Sequence, residues 1–322
     1  MKIEIKINEN LDTVWNNFIF KKNQHSIFLS KKFLQYHPKD RFTEYNIYVF
    51  IDGKLFLIIP CTKDKNTLFS HKGSTYGGII QFLKFDKLNH QIIYQKLIAF
   101  LKSENIDNLT LRMPPREFNG DTEYSFFDAI EEKKELFQEE ETYVDLRKNN
   151  FSDIKSSGFR RNHIRDINKT IELNDHLNFR KANTEEDLDN YYIILLENLK
   201  KHNVAPTHSK EEMRWLIDNF KNEIWLDVLT FDEKIIAGLF CFKMNKSVLH
   251  YFYGSVDYNF EHKGAIKYIY WMSMLNAKNN NFKFVNFGVD SKHGEEPNIS
   301  LKLFKEGFGG IHTYRKTVMI KC

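Results

Sequence analysis

Residues 225–242 read WLDVLTFDEKIIAGLFCF, and residues 45–60 read YNIYVFIDGKLFLIIP. Each stretch is a pair of apolar runs of strand length broken by a two-residue polar turn, Asp232-Glu233 in one and Asp52-Gly53 in the other. Aromatic and β-branched runs joined in this way predict tight β-hairpins. The same elements follow both hairpins in the same order. A Tyr-Gly pair comes next, Tyr76-Gly77 and Tyr253-Gly254. Amphipathic helices are then predicted over 91–102, with Ile93, Leu97, Phe100 and Leu101 on one face, and over 265–278, with Ile266, Ile269, Tyr270 and Ser273 on one face. An asparagine, Asn105 or Asn281, precedes a strand predicted over 106–113 or 282–289. Four elements repeated in order at nearly constant spacing point to an internal duplication.

Between the repeats lies the charged run EEKKELFQEEE at 131–141, read as surface, then a short strand at 143–146 and a basic helix within 152–169. A helix over 184–201 opens the second unit, with a capping box from Thr184 to Asp187 and an apolar stripe of Leu188, Tyr191, Tyr192, Leu195 and Leu199. The fold class is therefore α+β, two tandem units with mixed β-sheets flanked by helices, divided as 1–147 and 148–322.

The 322 residues exceed one ordinary domain, and 42% apolar with 15% aromatic residues supply ample core. A net charge of +4 permits phosphate-bearing ligands without requiring nucleic acid. The alternating MKIEIKINEN start has the pattern of a strand, not of a signal peptide, and no run approaches the ~18–20 apolar residues that span a bilayer, so a cytoplasmic location is expected. Cys61, Cys241 and Cys322 are far apart, which argues against a disulfide framework or a zinc site, and no metal is expected.

The densest functional segment is GVDSKHGEEPNISLKLFKEGFGGIHTYR at 288–315: a strand end, a polar loop, a short helix capped by Asn298, and a glycine-rich turn into a last strand. Lys305 can place an ammonium where negative charge develops, and Asp290 is a carboxylate at a strand end within reach of the same cleft. A helix stop at Gly307 and a solvated Lys305 are the plain alternative. The basic segment brings Lys155, Arg160, Arg161, His163, Arg165 and Lys169 together, with Arg161 and Arg165 on one helical face at i,i+4, suited to phosphates or simply solvated. The phenols of Tyr76 and Tyr253 are placed to hydrogen-bond a ligand or to pack beside a turn. Walker A, GxSxG, HExxH and strand-anchored GxGxxG motifs are missing from the sequence, and His37, His71, His250 and His293 read as structural.

On the segments FRRNHIRDINK (159–169), IIAG (235–238), YFYGS (251–255), FKFVNFG (282–288) and LFKEGFGG (303–310), the chain resembles the GNAT superfamily, and within it the FemAB-like and BioF2-like acyltransferases with tandem GNAT-like domains. The resemblance covers nearly the whole chain. It implies that Phe304 and Lys305, which match a Phe-Lys-x-x-Phe-Gly motif, contact the acyl donor or the tetrahedral oxyanion, and that Arg160, Arg161 and Arg165 match a basic helix between the halves. Two departures stand out. Glu261 and Ile266 flank Gly264 where acetyl-CoA enzymes carry a pyrophosphate loop, and 183–231 leaves no room for the helical arm of peptidoglycan ligases.

The resemblance implies an N-acyltransferase with its one active site in the second half. The donor is an acyl-CoA of the acetyl-CoA type or an aminoacyl-tRNA. The acceptor is an amine on a sugar, nucleotide-sugar or lipid-linked precursor of the cell envelope or surface polysaccharide. In the aminoacyl-tRNA alternative the acceptor is peptidoglycan or another amine, and the basic helix holds tRNA. A non-catalytic binding module is the third possibility.

Overall fold

The computed structural model describes residues 1–22, 25–118, 124–201, 203–260, 264–290, 296 and 298–322, without the side chains of residues 22 and 174. It separates two compact units, one made of Met1–Glu139 with Tyr314–Cys322 and the other of Glu140–Thr313. This grouping differs from a division at 147/148 in two places. Residues 140–147 go with the second unit, and the final residues go with the first, because Lys316–Lys321 pair antiparallel with Asn108–Met113 there. Glu261 and His293 lie outside the described residues.

Unit 1 runs β1 (Ile3–Ile7), α1 (Asp12–Lys22), α2 (Lys31–Leu34), β2 (Thr43–Glu44), β3 (Ile47–Ile51), β4 (Lys54–Ile59), β5 (Thr62–Asp64), β6 (Thr67–Ser70), β7 (Ile80–Gln81), α3 (Lys87–Ser103), β8 (Asn108–Met113), α4 (Ser125–Ala129) and the start of β9 (Lys133–Asp145). The predicted hairpin is β3–β4, and its turn residues Asp52 and Gly53 have φ of 49° and 77°. Two positive φ values make the turn whose twist matches that of the strands. The hairpin belongs to a four-stranded sheet in the order β1-β3-β4-β7. β6 instead runs parallel to β8, from Thr67 with Asn108 to Ser70 with Leu111. Val49, Phe56, Leu57, Ile93, Leu97, Leu101 and Leu111 form the buried centre of this unit.

Unit 2 runs from the end of β9 through α5 (Arg161–Ile171), β10 (Leu177–Lys181), α6 (Glu185–Lys200), α7 (Lys210–Asn219), β11 (Ile224–Phe231), β12 (Lys234–Lys243), β13 (Val248–Val256), α8 (Ala265–Asn279), β14 (Phe284–Val289) and α9 (Ile299–Glu306) into β15 (Ile311–Lys321). Its strand order is β10-β11-β12-β13-β14-β9. The hairpin β11–β12 turns on Asp232 and Glu233, again both at positive φ, 45° and 66°. Here hairpin and parallel pair share one sheet, whereas in unit 1 Pro60 follows β4 and the chain leaves for a separate ladder. The α6 capping box forms as expected between Thr184 and Asp187.

The charged run at 131–141 is not a surface connection. It is most of β9, in which Glu139 and Glu141 are buried and the alternation of the last residues brings Val144 into the core. Burial of these carboxylates is offset by partners: Glu139 accepts from Arg315 at 2.9 Å and Glu141 from Asn286 Nδ2 at 2.9 Å.

Candidate acyl-transfer site

β13 and β14 are parallel, and they pair over three residues only, from Val248 with Phe284 to His250 with Asn286. Beyond His250 the two strands have no further ladder pairs, while β13 continues on β12 to Val256 across a register shift that leaves Phe252 bulged. The backbone of Tyr251–Gly254 therefore has no ladder partner on the β14 side. Aromatic rings floor this part of the unit. Phe287 lies 5.5 Å from Tyr251, 5.1 Å from Tyr270 and 5.6 Å from Phe308, centroid to centroid. Gly254 is small for a steric reason, since a β-carbon there would stand 2.1 Å from the Tyr270 hydroxyl.

Where β14 ends, Lys305 and Asp290 meet. Asp290 is 1% exposed and Lys305 4%. Nζ of Lys305 lies 2.7 Å from Asp290 Oδ1 and donates to the carbonyls of Gly288 at 3.0 Å and Val289 at 2.7 Å. Thr142 Oγ1 donates to Asp290 Oδ2 at 2.8 Å. Burial pushes the Lys305 ammonium down from its usual value, and the Asp290 charge opposes that shift. Two of the ammonium's three protons go to these carbonyls, and Asp290 Oδ1 stands beside it as an ion pair without hydrogen-bond geometry.

Helix α9, which carries Lys305, is capped by Asn298 as expected, the side chain accepting from Leu301 N. It docks on α5 through His163, whose Nε2 lies 3.0 Å from the Phe304 carbonyl. A β-carbon at Gly307 would stand 2.2 Å from the same imidazole, which explains the glycine at this position. Burial pushes His163 down to about 4, so near neutral pH it is uncharged and its Nε2–H donates to that carbonyl.

The remaining expected residues fall into different settings. Phe304 is half-buried and packs with Tyr270 at 5.8 Å and Phe308 at 5.2 Å. Tyr253 hydroxyl receives Thr207 N at 2.9 Å and lies 3.2 Å from His208 Nδ1, which ties the loop before α7 to β13. Arg160 is the N-cap residue of α5 and is held by Glu306, while Arg161 and Arg165 are exposed, Arg165 beside Asp166 at 3.1 Å. Tyr76 takes the packed setting of the two expected for it, not the ligand-facing one. It is in unit 1 with 0% exposure, its ring under the Arg315 guanidinium at 5.8 Å, a packed core position.

Sequence reasoning missed the partners from the charged run and the last strand. His312 lies 2.8 Å from Glu140 through Nδ1 and 3.1 Å from Glu306 through Nε2. Glu140, Asp290 and His312 present ligand atoms within 4.8 Å of one another, a set able to hold a cation, although Lys302 and Lys305 already neutralise both of its carboxylates. Unit 1 has a cavity of about 690 Å³ lined by Lys31, Glu44, Asn46, Tyr48, His37 and His71, none of which any motif marks except as scattered histidines. Among the described residues no helix is long and apolar enough to cross a membrane.

Residues 157–297 match the family described as Acetyltransferase (GNAT) domain. No curated protein sequence matches the chain. Among solved structures, FemX is similar over 100% of this chain and 98% of its own, with TM-score 0.69 and 11% identity. A tandem GNAT protein from the clavulanic acid biosynthesis pathway is similar over 99% and 98%, with TM-score 0.52 and 9% identity. L-PGS from Bacillus licheniformis is similar over 82% and 80%, with TM-score 0.53 and 14% identity. The parted parallel strands of unit 2 lie inside the matched segment, and the chain has a FemAB-like fold of the GNAT superfamily, with tandem GNAT-like units.

Proposed function

We propose that the protein is an N-acyltransferase whose acyl group is held in unit 2, where β13 and β14 part. The observation that carries this is the parting itself. Two parallel strands that separate after His250 and Asn286 leave β13 without ladder pairs on that side, beside the Tyr251 and Phe287 rings, a place for a planar acyl carbonyl and the amide-bearing arm of its carrier. A free amine attacks the carbonyl carbon, the tetrahedral oxyanion takes backbone N–H bonds, and collapse expels the carrier's thiolate or ribose oxygen. The attacking nitrogen's proton leaves to water or to Asp290. Lys305 acts on this site by fixing the Gly288 and Val289 carbonyls and by pairing with Asp290, and it stabilises the oxyanion where ligand entry brings one within reach of its protons.

The donor is acyl-CoA, supported by the match to an acetyltransferase domain, and the alternative is aminoacyl-tRNA, supported by the likeness to FemX and by the exposed pair Arg161 and Arg165. The acceptor is an amine on a cell-envelope or surface-polysaccharide precursor. Calorimetric titration with acetyl-CoA tests the donor: saturable binding that weakens in Lys305→Met/Asp290→Asn supports acyl-CoA. Absence of binding, together with salt-dependent binding of charged tRNA that Arg161→Glu/Arg165→Glu abolishes, transfers the proposal to aminoacyl-tRNA. If neither donor binds, acyl transfer is rejected in favour of a binding module.

A further inference from the structure

Unit 1 holds a cation that its own residues do not satisfy. Arg112 on β8 is half-buried, and among the described residues its guanidinium has no hydrogen-bond or ion-pair partner. The charges that act on it are those of Arg315 and Glu139. Glu139 is already taken: Arg315 Nε donates to it at 2.9 Å and Arg315 Nη2 stands 2.8 Å from it, while Arg315 Nη1 donates to the Thr75 carbonyl at 3.0 Å. Two guanidiniums thus share one carboxylate, and the one left over is Arg112. Burial, and then the Arg315 charge, pull Arg112 below its usual value, and a guanidinium cannot relieve that stress by losing its proton.

A second observation lies directly across the ladder. Arg112 is paired with Thr317 on β15, so both side chains leave the same face of the sheet. Thr317 is 3% exposed, and its hydroxyl has no hydrogen-bond partner. Buried hydroxyls are hydrogen-bonded in nearly all folded proteins, and here one without a partner faces a half-buried guanidinium across the ladder. An oxyanion accepts from both.

We infer that Arg112 and Thr317 form the protein's half of an oxyanion site, which takes a carboxylate or phosphoryl group with Arg112 bidentate on two oxygens, Thr317 Oγ1 donating to one of them, and Arg315 adding its charge from behind. The site belongs to unit 1 and stands whether or not the chain transfers acyl groups.

Thermal unfolding of the full-length protein tests it, with sodium phosphate or sodium acetate replacing chloride at constant ionic strength. The melting temperature of the wild type rises with the bound anion, by linkage. Arg112→Met loses this response, its apparent anion affinity falling by about tenfold or more, as expected for a lost charge-assisted pair. In chloride Arg112→Met melts no lower than the wild type, because an uncompensated charge has been removed. Thr317→Val also melts no lower in chloride and binds the anion several-fold more weakly. A response to phosphate alone assigns a phosphoryl group, and a response to both anions assigns oxyanions in general. No response to either, an equal response in Arg112→Met, or a marked loss of stability of that variant in chloride would overturn the inference, the last because it shows that the guanidinium already has its partner.

Discussion

Lys305 and Asp290 form a buried ion pair, and a change at either residue alters stability before it reports on any role in catalysis. Removing only the cation leaves a carboxylate at 1% exposure without its partner, so Lys305→Ala should cost about 3–5 kcal/mol of stability. Its effect on turnover is then uninterpretable alone. The double change Lys305→Met/Asp290→Asn removes both charges and should recover most of that stability in urea titrations. Under the proposed function it keeps kcat down by about 10²–10³; recovery of turnover along with stability would make the pair purely structural. Asp227 gives a second test at this scale. It is buried, receives Ser273 Oγ at 2.8 Å and Trp225 Nε1 at 2.9 Å, and burial pushes it up to about 6. A carboxyl raised above its unfolded value of about 3.9 adds stability that is full below that value and is lost as pH rises through about 6. Asp227→Asn should therefore exceed the wild type by about 3 kcal/mol at pH 7.5 and by about 1 kcal/mol at pH 4.5. An equal difference at both pH values would show that the carboxyl does not titrate there. Lys305 and Asp290 were legible because a strand end and a glycine-rich turn bracket them. Glu139 and Glu141 were not, since in a run of acids and lysines nothing local distinguishes a carboxylate that will meet Arg315 or Asn286 from one that will meet water.

The elements that sequence located best are those whose ends carry local chemistry. Asn105 and Asn281 sit at corresponding places in the two units, and both prove to be helix stops in the left-handed region, with φ of 57° and 62°. Asn105 N donates to Lys102 O and Ile106 N to Leu101 O, while Asn281 N donates to Lys278 O and Phe282 N to Ala277 O. This double bond pattern satisfies carbonyls that the helix leaves open. Asn tolerates the conformation better than other residues with a β-carbon, and glycine better still. At either site Asn→Ala should lose about 1 kcal/mol and Asn→Gly should lose little, as read from urea midpoints. Equal losses for Ala and Gly would place the asparagine's contribution in its side chain instead of its backbone. The hairpins were legible for the same reason, as Asp52-Gly53 and Asp232-Glu233 carry their own turn geometry. Which ladder a strand joins has no such local marker. β4 and β12 end similar hairpins, yet β12 pairs with β13, and β4 pairs with β7 in a different sheet from β6.

At the scale of the whole molecule, the duplication seen in the sequence does not coincide with two independent stretches of chain. The first unit is completed by Tyr314–Cys322, which supply the antiparallel partner of β8 from Asn108 to Met113. Val318 and Ile320 of that strand are buried with Leu109 and Leu111 in the unit 1 core. A fragment ending at residue 147, the natural cut if the repeats were separate domains, lacks this strand and exposes both the edge of β8 and the apolar side chains beneath it. Such a fragment should be aggregation-prone and poorly protected in amide exchange along Asn108–Met113. Adding a peptide of residues 311–322 in trans should restore protection at those amides and no others of comparable depth, because main-chain pairing there is what the peptide supplies. A fragment that is already fully protected without the peptide would show that the first repeat closes its own sheet and that the final strand is an accessory. Protection that returns only with the peptide makes Tyr314–Cys322 a structural part of the first unit, so that unit 1 reaches its final sheet only after these residues have been made.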